Sequence, residues 1–335
     1  MKEERTMNPY LLPLDDYIPD GEAHVMPDGR VYLYGSRDCE DNAWCTNSYR
    51  VVSSDDLKNW TISETSFSTK DVPWANQANP AAASLDFDSI HSIDDLPKGI
   101  RLFLPDEAKE VPFAILKEQI VKFLTQSSQS NNAVLFAPDC IYKDGKYYLY
   151  FCLSDDTEGV AVSDRPEGPF KDAVQLKASG IDPAVFVDED GTAYYYWGQF
   201  NSHGARLTPD MMHIEEDSIV DNLLTEQEHH FHEGSSMRKR NGIYYYVFAD
   251  ISRGKPTCLG YATSKSPLGP FTYQGVIVDN ITLNPESWNN HGSIEEINGQ
   301  WYVFFHISTQ GRYKRRACMA PIEFDENGLI REVIL

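Results

Sequence analysis

Three carboxylic acids stand at one phase of a repeated pattern. Asp20 in Ile18-Pro-Asp-Gly-Glu, Asp182 in Ile181-Asp-Pro-Ala-Val and Glu233 in His232-Glu-Gly-Ser-Ser-Met each lie nine residues before the glycine of an Asp-Gly or Asn-Gly pair. His291 lies eight before such a glycine, and Asp139 six. Acids gathered in one pocket raise each other's pKa, and desolvation adds to the shift. That cost suits hydrolysis of a glycosidic bond, where an un-ionised carboxyl protonates the leaving oxygen and a carboxylate acts on water or on the anomeric carbon. A third acid can tune the proton donor and hold the sugar. Taken singly, each acid also reads as a cap on a strand-opening turn; three at identical phase argue for a shared pocket.

The elements that must position these residues are legible as five copies of one unit. Asp28-Gly-Arg-Val-Tyr-Leu-Tyr-Gly-Ser, Asp144-Gly-Lys-Tyr-Tyr-Leu-Tyr-Phe-Cys, Asp190-Gly-Thr-Ala-Tyr-Tyr-Tyr-Trp-Gly, Asn241-Gly-Ile-Tyr-Tyr-Tyr-Val-Phe-Ala and Asn298-Gly-Gln-Trp-Tyr-Val-Phe-Phe-His pair a tight turn with an aromatic strand. The turn glycines are 116, 46, 51 and 57 residues apart, and steps near 50 suit a four-stranded propeller blade. Pro166-Glu-Gly-Pro-Phe and Pro267-Leu-Gly-Pro-Phe recur at the same place in the second and fourth units. The expected fold is all-β, a five-bladed β-propeller forming a single catalytic domain over residues 1–335. The long first step predicts an insertion between the first and second blades, at about residues 84–131, where Leu116–Gln126 has helical spacing. The innermost strands of a propeller line its axis, so residues at one phase of the repeat converge there.

Composition narrows the partners. The 335 residues carry 29 Lys and Arg against 51 Asp and Glu, a net charge of −22. Nucleic acid and anionic membrane surfaces, which are bound through clustered cations, are not expected as partners. The N-terminal residues lack the apolar stretch of a signal peptide, and no run approaches the ~18 apolar residues of a membrane span; the expected address is cytoplasmic. Six scattered cysteines without a C-x-x-C pair argue against a zinc cage or disulfide framework and read as small buried hydrophobes. Ser235 lacks a G-x-S-x-G elbow, and no phosphate-loop or dinucleotide fingerprint is present, so no nucleotide cofactor is expected. His229, His230 and His232 read as pocket rim beside Glu233. Phe136, Trp74 and Trp197 could stack on sugar faces; because most aromatics of the repeats must lie between blades, Phe136 and Trp74 are the candidates kept.

At these residues the chain resembles glycoside hydrolase family 43. The matching pieces are Tyr17-Ile-Pro-Asp-Gly-Glu with Val31-Tyr-Leu-Tyr-Gly-Ser, Phe136-Ala-Pro-Asp, Ile181-Asp-Pro-Ala-Val, Phe231-His-Glu-Gly-Ser-Ser-Met-Arg-Lys, Asn290-His-Gly-Ser-Ile and Arg315-Arg-Ala-Cys-Met-Ala-Pro-Ile. They run in family order from residue 8 to about residue 325. The resemblance implies a five-bladed propeller with Asp20 as general base, Glu233 as general acid, and Asp182 orienting Glu233 and tuning its pKa. It implies inversion, with carboxyls about 6.5 to 9.5 Å apart to admit a water. His291 matches an axial histidine that supports bound calcium through water; a histidine hydrogen-bonded in the pocket floor is the alternative. An arginine near the end of the last blade should reach a sugar hydroxyl, and of Arg315 and Arg316 only one can face inward; Arg315 is chosen. Where many members read Asp-Pro after the base, this chain reads Asp20-Gly-Glu, which leaves Glu22 as a rival base.

The activity implied is an exo-acting, inverting glycosidase that removes terminal arabinofuranosyl or xylosyl residues from plant cell-wall oligosaccharides. Galactofuranosidase, galactanase or endo-arabinanase activity would change the sugar or the mode of attack. A non-catalytic carbohydrate-binding propeller would be expected to lose one of the three acids, and all three are present.

Overall fold

The computed structural model describes residues 10–39, 43–75, 89–96, 111–129, 133–283 and 288–335. Among the described residues, eighteen strands form five antiparallel sheets in chain order. The first sheet holds β1 (Glu22–Val25), β2 (Val31–Tyr34), β3 (Ser48–Ser54) and β4 (Thr61–Ser68). The second holds β5 (Asp139–Lys143), β6 (Lys146–Cys152), β7 (Thr157–Ser163) and β8 (Lys171–Ser179), and the third β9 (Ala184–Val187), β10 (Ala193–Trp197) and β11 (His203–Arg206). The fourth holds β12 (Phe231–Arg240), β13 (Ile243–Asp250), β14 (Cys258–Ser264) and β15 (Thr272–Asp279), and the last β16 (Ser293–Ile297), β17 (Gln300–Ser308) and β18 (Arg315–Pro321). The first strand of each sheet touches the first strand of the next, and β16 returns to β1. The chain is therefore a five-bladed propeller whose innermost strands ring an axis. The two three-stranded blades gain an irregular edge: Gly204 pairs with Val220 beside β11, and Tyr10 to Leu12 hydrogen-bond along β18.

The repeated dipeptides make the turns between the first two strands of each blade. Asp144-Gly145, Asn241-Gly242 and Asn298-Gly299 have positive φ at both positions and close two-residue hairpins whose twist matches the strands. Asp28-Gly29 and Asp190-Gly191 sit in longer loops, with positive φ at the glycine alone.

The aromatic strand after each turn builds the contact between blades. Tyr34, Tyr150 and Tyr196 all stand five residues beyond their turn glycine, and all are buried. Each hydroxyl donates to a backbone carbonyl of the following blade: Tyr34 to Pro166 (2.8 Å), Tyr150 to Met211 (2.8 Å) and Tyr196 to Pro267 (2.9 Å). Pro166 and Pro267 open the two matching Gly-Pro-Phe loops, whose Phe170 and Phe271 are buried. The apolar core accordingly lies in layers between blades, for example Tyr150, Val160, Val185, Tyr195 and Ala205. No disulfide joins the six cysteines; five are buried as expected, but Cys39 is exposed, in the loop that follows β2.

Pro73–Ala133 forms a second compact unit, placed in sequence between β4 and β5. Its helix α1 (Phe113–Gln129) contains the segment with helical spacing, and buries Leu116 and Ile120 with Ile90 and Leu96. Of the expected insertion, residues 84–88, 97–110 and 130–131 lie outside the described residues.

Removing a buried hydroxyl leaves its carbonyl partner unsatisfied, at about 1–3 kcal/mol. Tyr150→Phe and Tyr196→Phe should each lower the unfolding free energy by that amount in urea titrations, while turnover changes little.

Candidate active site

The loop geometry entering each inner strand aims the acids. Asp20 and Asp182 each precede their strand by two residues and hold left-handed backbone, φ 58° and 55°. For a non-glycine residue this costs roughly 1–3 kcal/mol, and such strain persists only where the surroundings over-determine it. Glu233 is placed differently, inside β12, where the pairing with β13 slips between Phe231 and Ser236. This bulge turns Glu233 towards the axis. Gly234 makes it feasible: its φ is 75°, and a Cβ there would sit 3.0 Å from the His291 ring. All three acids are buried, at 4%, 6% and 5% exposure.

Asp20 is gripped by Arg315, with His306 against the same oxygen. Arg315 Nη1 donates to Asp20 Oδ1 at 2.9 Å, and His306 Nδ1 lies 3.2 Å from the same oxygen. Asp38, fully buried, locks the other side of the guanidinium, accepting from Arg315 Nε at 2.9 Å and Nη2 at 3.1 Å. Burial by itself would raise the Asp20 pKa, but Arg315, then His306, overcome it and hold the carboxyl well below the usual range. Arg316, the other arginine considered, donates to the carbonyls of Leu12 and Leu14, away from Asp20.

Glu22 belongs to a different layer. Its carboxylate accepts from Arg238 Nη2 at 3.2 Å, and Arg238 also pairs with Glu295 at 2.6 Å. In the same layer His24 Nε2 lies 2.7 Å from Asp139 Oδ1. Burial, and then the Asp139 charge, raise the Glu22 pKa well above normal. Glu22 therefore shares its cation, Arg238, with Glu295, and that pairing does not offset burial as Arg315 does for Asp20.

Asp182 and Glu233 face one another electrostatically. Burial, followed by the charges of Glu233 and Asp20, raises the Asp182 pKa well above its ordinary value. The Gly234 backbone N–H works the other way, favouring the charged form of Asp182, so the bulge that aims Glu233 also acts on its neighbour. His291 Nδ1 stands 3.7 Å from Asp182 Oδ2, and burial lowers the His291 pKa, leaving a neutral ring. Glu233 Oε2 accepts from Gln199 Nε2 at 2.7 Å, and His232 Nε2 lies 4.0 Å away.

The structure thus brings Asp20 to Arg315, and Asp182 to His291 and to the Glu233 bulge. Half-buried Phe136 is tethered beside them: its N–H donates to the Cys152 carbonyl, and the Cys152 thiol accepts the Asp182 N–H. Trp74 is half-buried in the second compact unit. Trp197 is core, stacked between Tyr195 and His203. His229 caps its own turn through Thr225, and His230 packs on Tyr273. Sequence reasoning missed Asp38, Gln199 and His306. A signal existed for His306, which ends the fifth copy of the repeat, seven residues past its turn glycine; Cys152 holds that place in the second copy.

One buried carboxyl whose pKa is pushed down and a neighbour whose pKa is pushed up, at the axis of a propeller, are equipment for acid–base hydrolysis. Comparison with known proteins agrees. The model of glycosyl hydrolases family 43 matches residues 116–330. A xylosidase/arabinosidase of Bacteroides ovatus is 31% identical, the match covering 97% of each chain. Among solved structures, a family 43 β-xylosidase/α-arabinofuranosidase from a compost microbial metagenome, in a calcium-free complex with xylotriose, has a TM-score of 0.71 at 26% identity, covering 96% of both chains. An α-L-arabinofuranosidase of Clostridium thermocellum has a TM-score of 0.65 at 25% identity, covering 96% of this chain and 95% of that one. The chain belongs to glycosyl hydrolases family 43, and it is a glycoside hydrolase.

Gly234→Ala should both destabilise the protein, since Ala at positive φ is strained by more than about 1 kcal/mol, and depress turnover by moving Glu233 and His291 apart. Thermal melts and kcat measured together check this; a fully active variant would contradict the role given to the bulge.

Proposed function

We propose that this glycoside hydrolase is an exo-acting, inverting enzyme that releases terminal xylosyl or arabinofuranosyl residues from plant cell-wall oligosaccharides. The observation that carries the reading is the gathering of three buried acids at the axis, with Arg315 paired to Asp20; the Asp20 pKa is pushed down and that of Asp182 up. The sugars are supported by the names of the relatives, which combine xylosidase and arabinosidase.

In this reading Asp20, ionised throughout the working range, accepts a proton from a water that attacks the anomeric carbon. Glu233 protonates the oxygen that leaves. Asp182 and Glu233 resist carrying two negative charges side by side, so the pair retains one proton for transfer. Arg315 serves by keeping Asp20 charged, and its guanidinium borders the sugar. Phe136 offers an apolar ring to the sugar face.

Calcium fits the pocket floor. The buried Nε2 of His291 has no hydrogen-bond partner among the described residues, and a neutral ring nitrogen accepts well from a water of a hydrated cation. His291 would hold the ion through water, with the Asp20 carboxylate supplying negative field. The bound ion would supply fixed positive charge near the departing oxygen. Calcium should then raise the melting temperature of the wild type more than that of His291→Ala.

Three further outcomes follow. Asp20→Ala should lose about 10²–10⁴-fold in kcat on every substrate. Glu233→Ala should lose as much on oligosaccharides but far less on activated aryl glycosides, whose leaving groups need little protonation; equal losses would count against its acid role. Arg315→Lys cannot bridge both carboxylates, so the acid limb of kcat/KM should move to higher pH. The sign follows from linkage: a depressed carboxyl pKa contributes stability above the unfolded value and loses it as pH falls through the folded one. Weakening the grip therefore also reduces stability at neutral pH.

A further inference from the structure

Gln199 stands apart from every role assigned above, yet among the described residues it makes the one hydrogen bond to the Glu233 carboxyl, from Nε2 to Oε2 at 2.7 Å. The amide presents its nitrogen to Oε2; in the flipped orientation its oxygen could accept only from a proton on Oε2 itself.

The loop that carries Gln199 is tied on both sides to the strands of the two acids. Gly198 N–H donates to the carbonyl of Ile181, the residue before Asp182, at 3.0 Å. Phe200 N–H donates to the carbonyl of His232, the residue before Glu233, at 2.7 Å. Gly198 has φ 129°, and a Cβ there would lie 2.2 Å from the Asn201 carbonyl oxygen. Phe200 too is left-handed, at φ 66°. The loop backbone is thus fixed on both sides of Gln199, which limits where its amide can reach.

A donor aimed at Oε2 dictates where the acid carries its proton. A hydrogen on Oε2 would point at the hydrogens of the amide, so the proton resides on Oε1. We propose that Gln199 is a positioning residue that selects the Oε1 tautomer of Glu233 and stabilises the carboxylate left after transfer. The inference rests on Glu233 being the general acid. In the step, the Oε1–H bond breaks as an O–H bond forms on the glycosidic oxygen. The bond from that oxygen to the anomeric carbon breaks with its electron pair staying on the oxygen. Water bonds to the carbon and gives its proton to Asp20. The other groups near Glu233 are His232, 4.0 Å from Oε2, the Asp182 carboxyl, which couples to it through charge, and the neutral His291 ring; none of them hydrogen-bonds Oε2 among the described residues.

The test is a leaving-group series of aryl glycosides together with an oligosaccharide, run on the wild type, Gln199→Met, Gln199→Glu and Glu233→Ala. Met fills the same space without a donor. Gln199→Met should lose roughly ten- to hundredfold in kcat on the oligosaccharide, much less on the most activated aryl glycoside, with KM little changed, so that rate depends more steeply on leaving-group basicity. Gln199→Glu donates only while protonated, so its deficit should narrow as pH falls. Equal loss by Gln199→Met across the series, or no loss, overturns the proposal. If Glu233→Ala also shows equal losses, it is the general-acid reading that fails instead.

Discussion

The charge pair between Arg315 and Asp20 is the interaction on which the pocket depends. Three acids buried within each other's fields would share protons and leave no reliable base. Arg315, at the start of β18, reaches across from the last blade to the first and takes up the charge of Asp20. Asp38 fixes the guanidinium from behind and leaves one nitrogen for Asp20. Removing one partner of such a buried pair strands a charge, which is costly. The same contact joins the last blade to the first, so the electrostatics of the pocket and the closure of the ring are one problem.

Depth along the axis follows distance from the turn. Residues nine before the turn glycine, Asp20, Asp182 and Glu233, form the upper layer. Those seven to four before it, Glu22, Asp139, His24, Arg238 and Glu295, form a lower layer paired among themselves. The two layers explain why adjacent acids on one strand, Asp20 and Glu22, have opposite fates: the upper has Arg315 and His306, while the lower shares Arg238 with Glu295.

The propeller and the axial acids were legible because the Asp-Gly and Asn-Gly turns reset the count in every blade. Register relative to a turn specifies which face and level a residue occupies. What the count could not reach was anything supplied by loops. Asp38 lies between β2 and β3, and Gln199 between β10 and β11; neither position recurs from blade to blade. His306 lay within the repeat but on the second strand, where the other copies carry Ser36, Cys152, Gly198 and Ala249 at the same phase. The Glu233 bulge was likewise hidden, since the spacing of nine to its turn is kept even though the pairing slips.

The central claim, that Asp20 works through water and never bonds to sugar, is tested most directly by the anomer released first. Proton NMR of the earliest products from an aryl β-xyloside should show α-xylose, with the β anomer growing in only as mutarotation proceeds. Initial appearance of β-xylose would mean two displacements and a covalent intermediate, and would contradict the account.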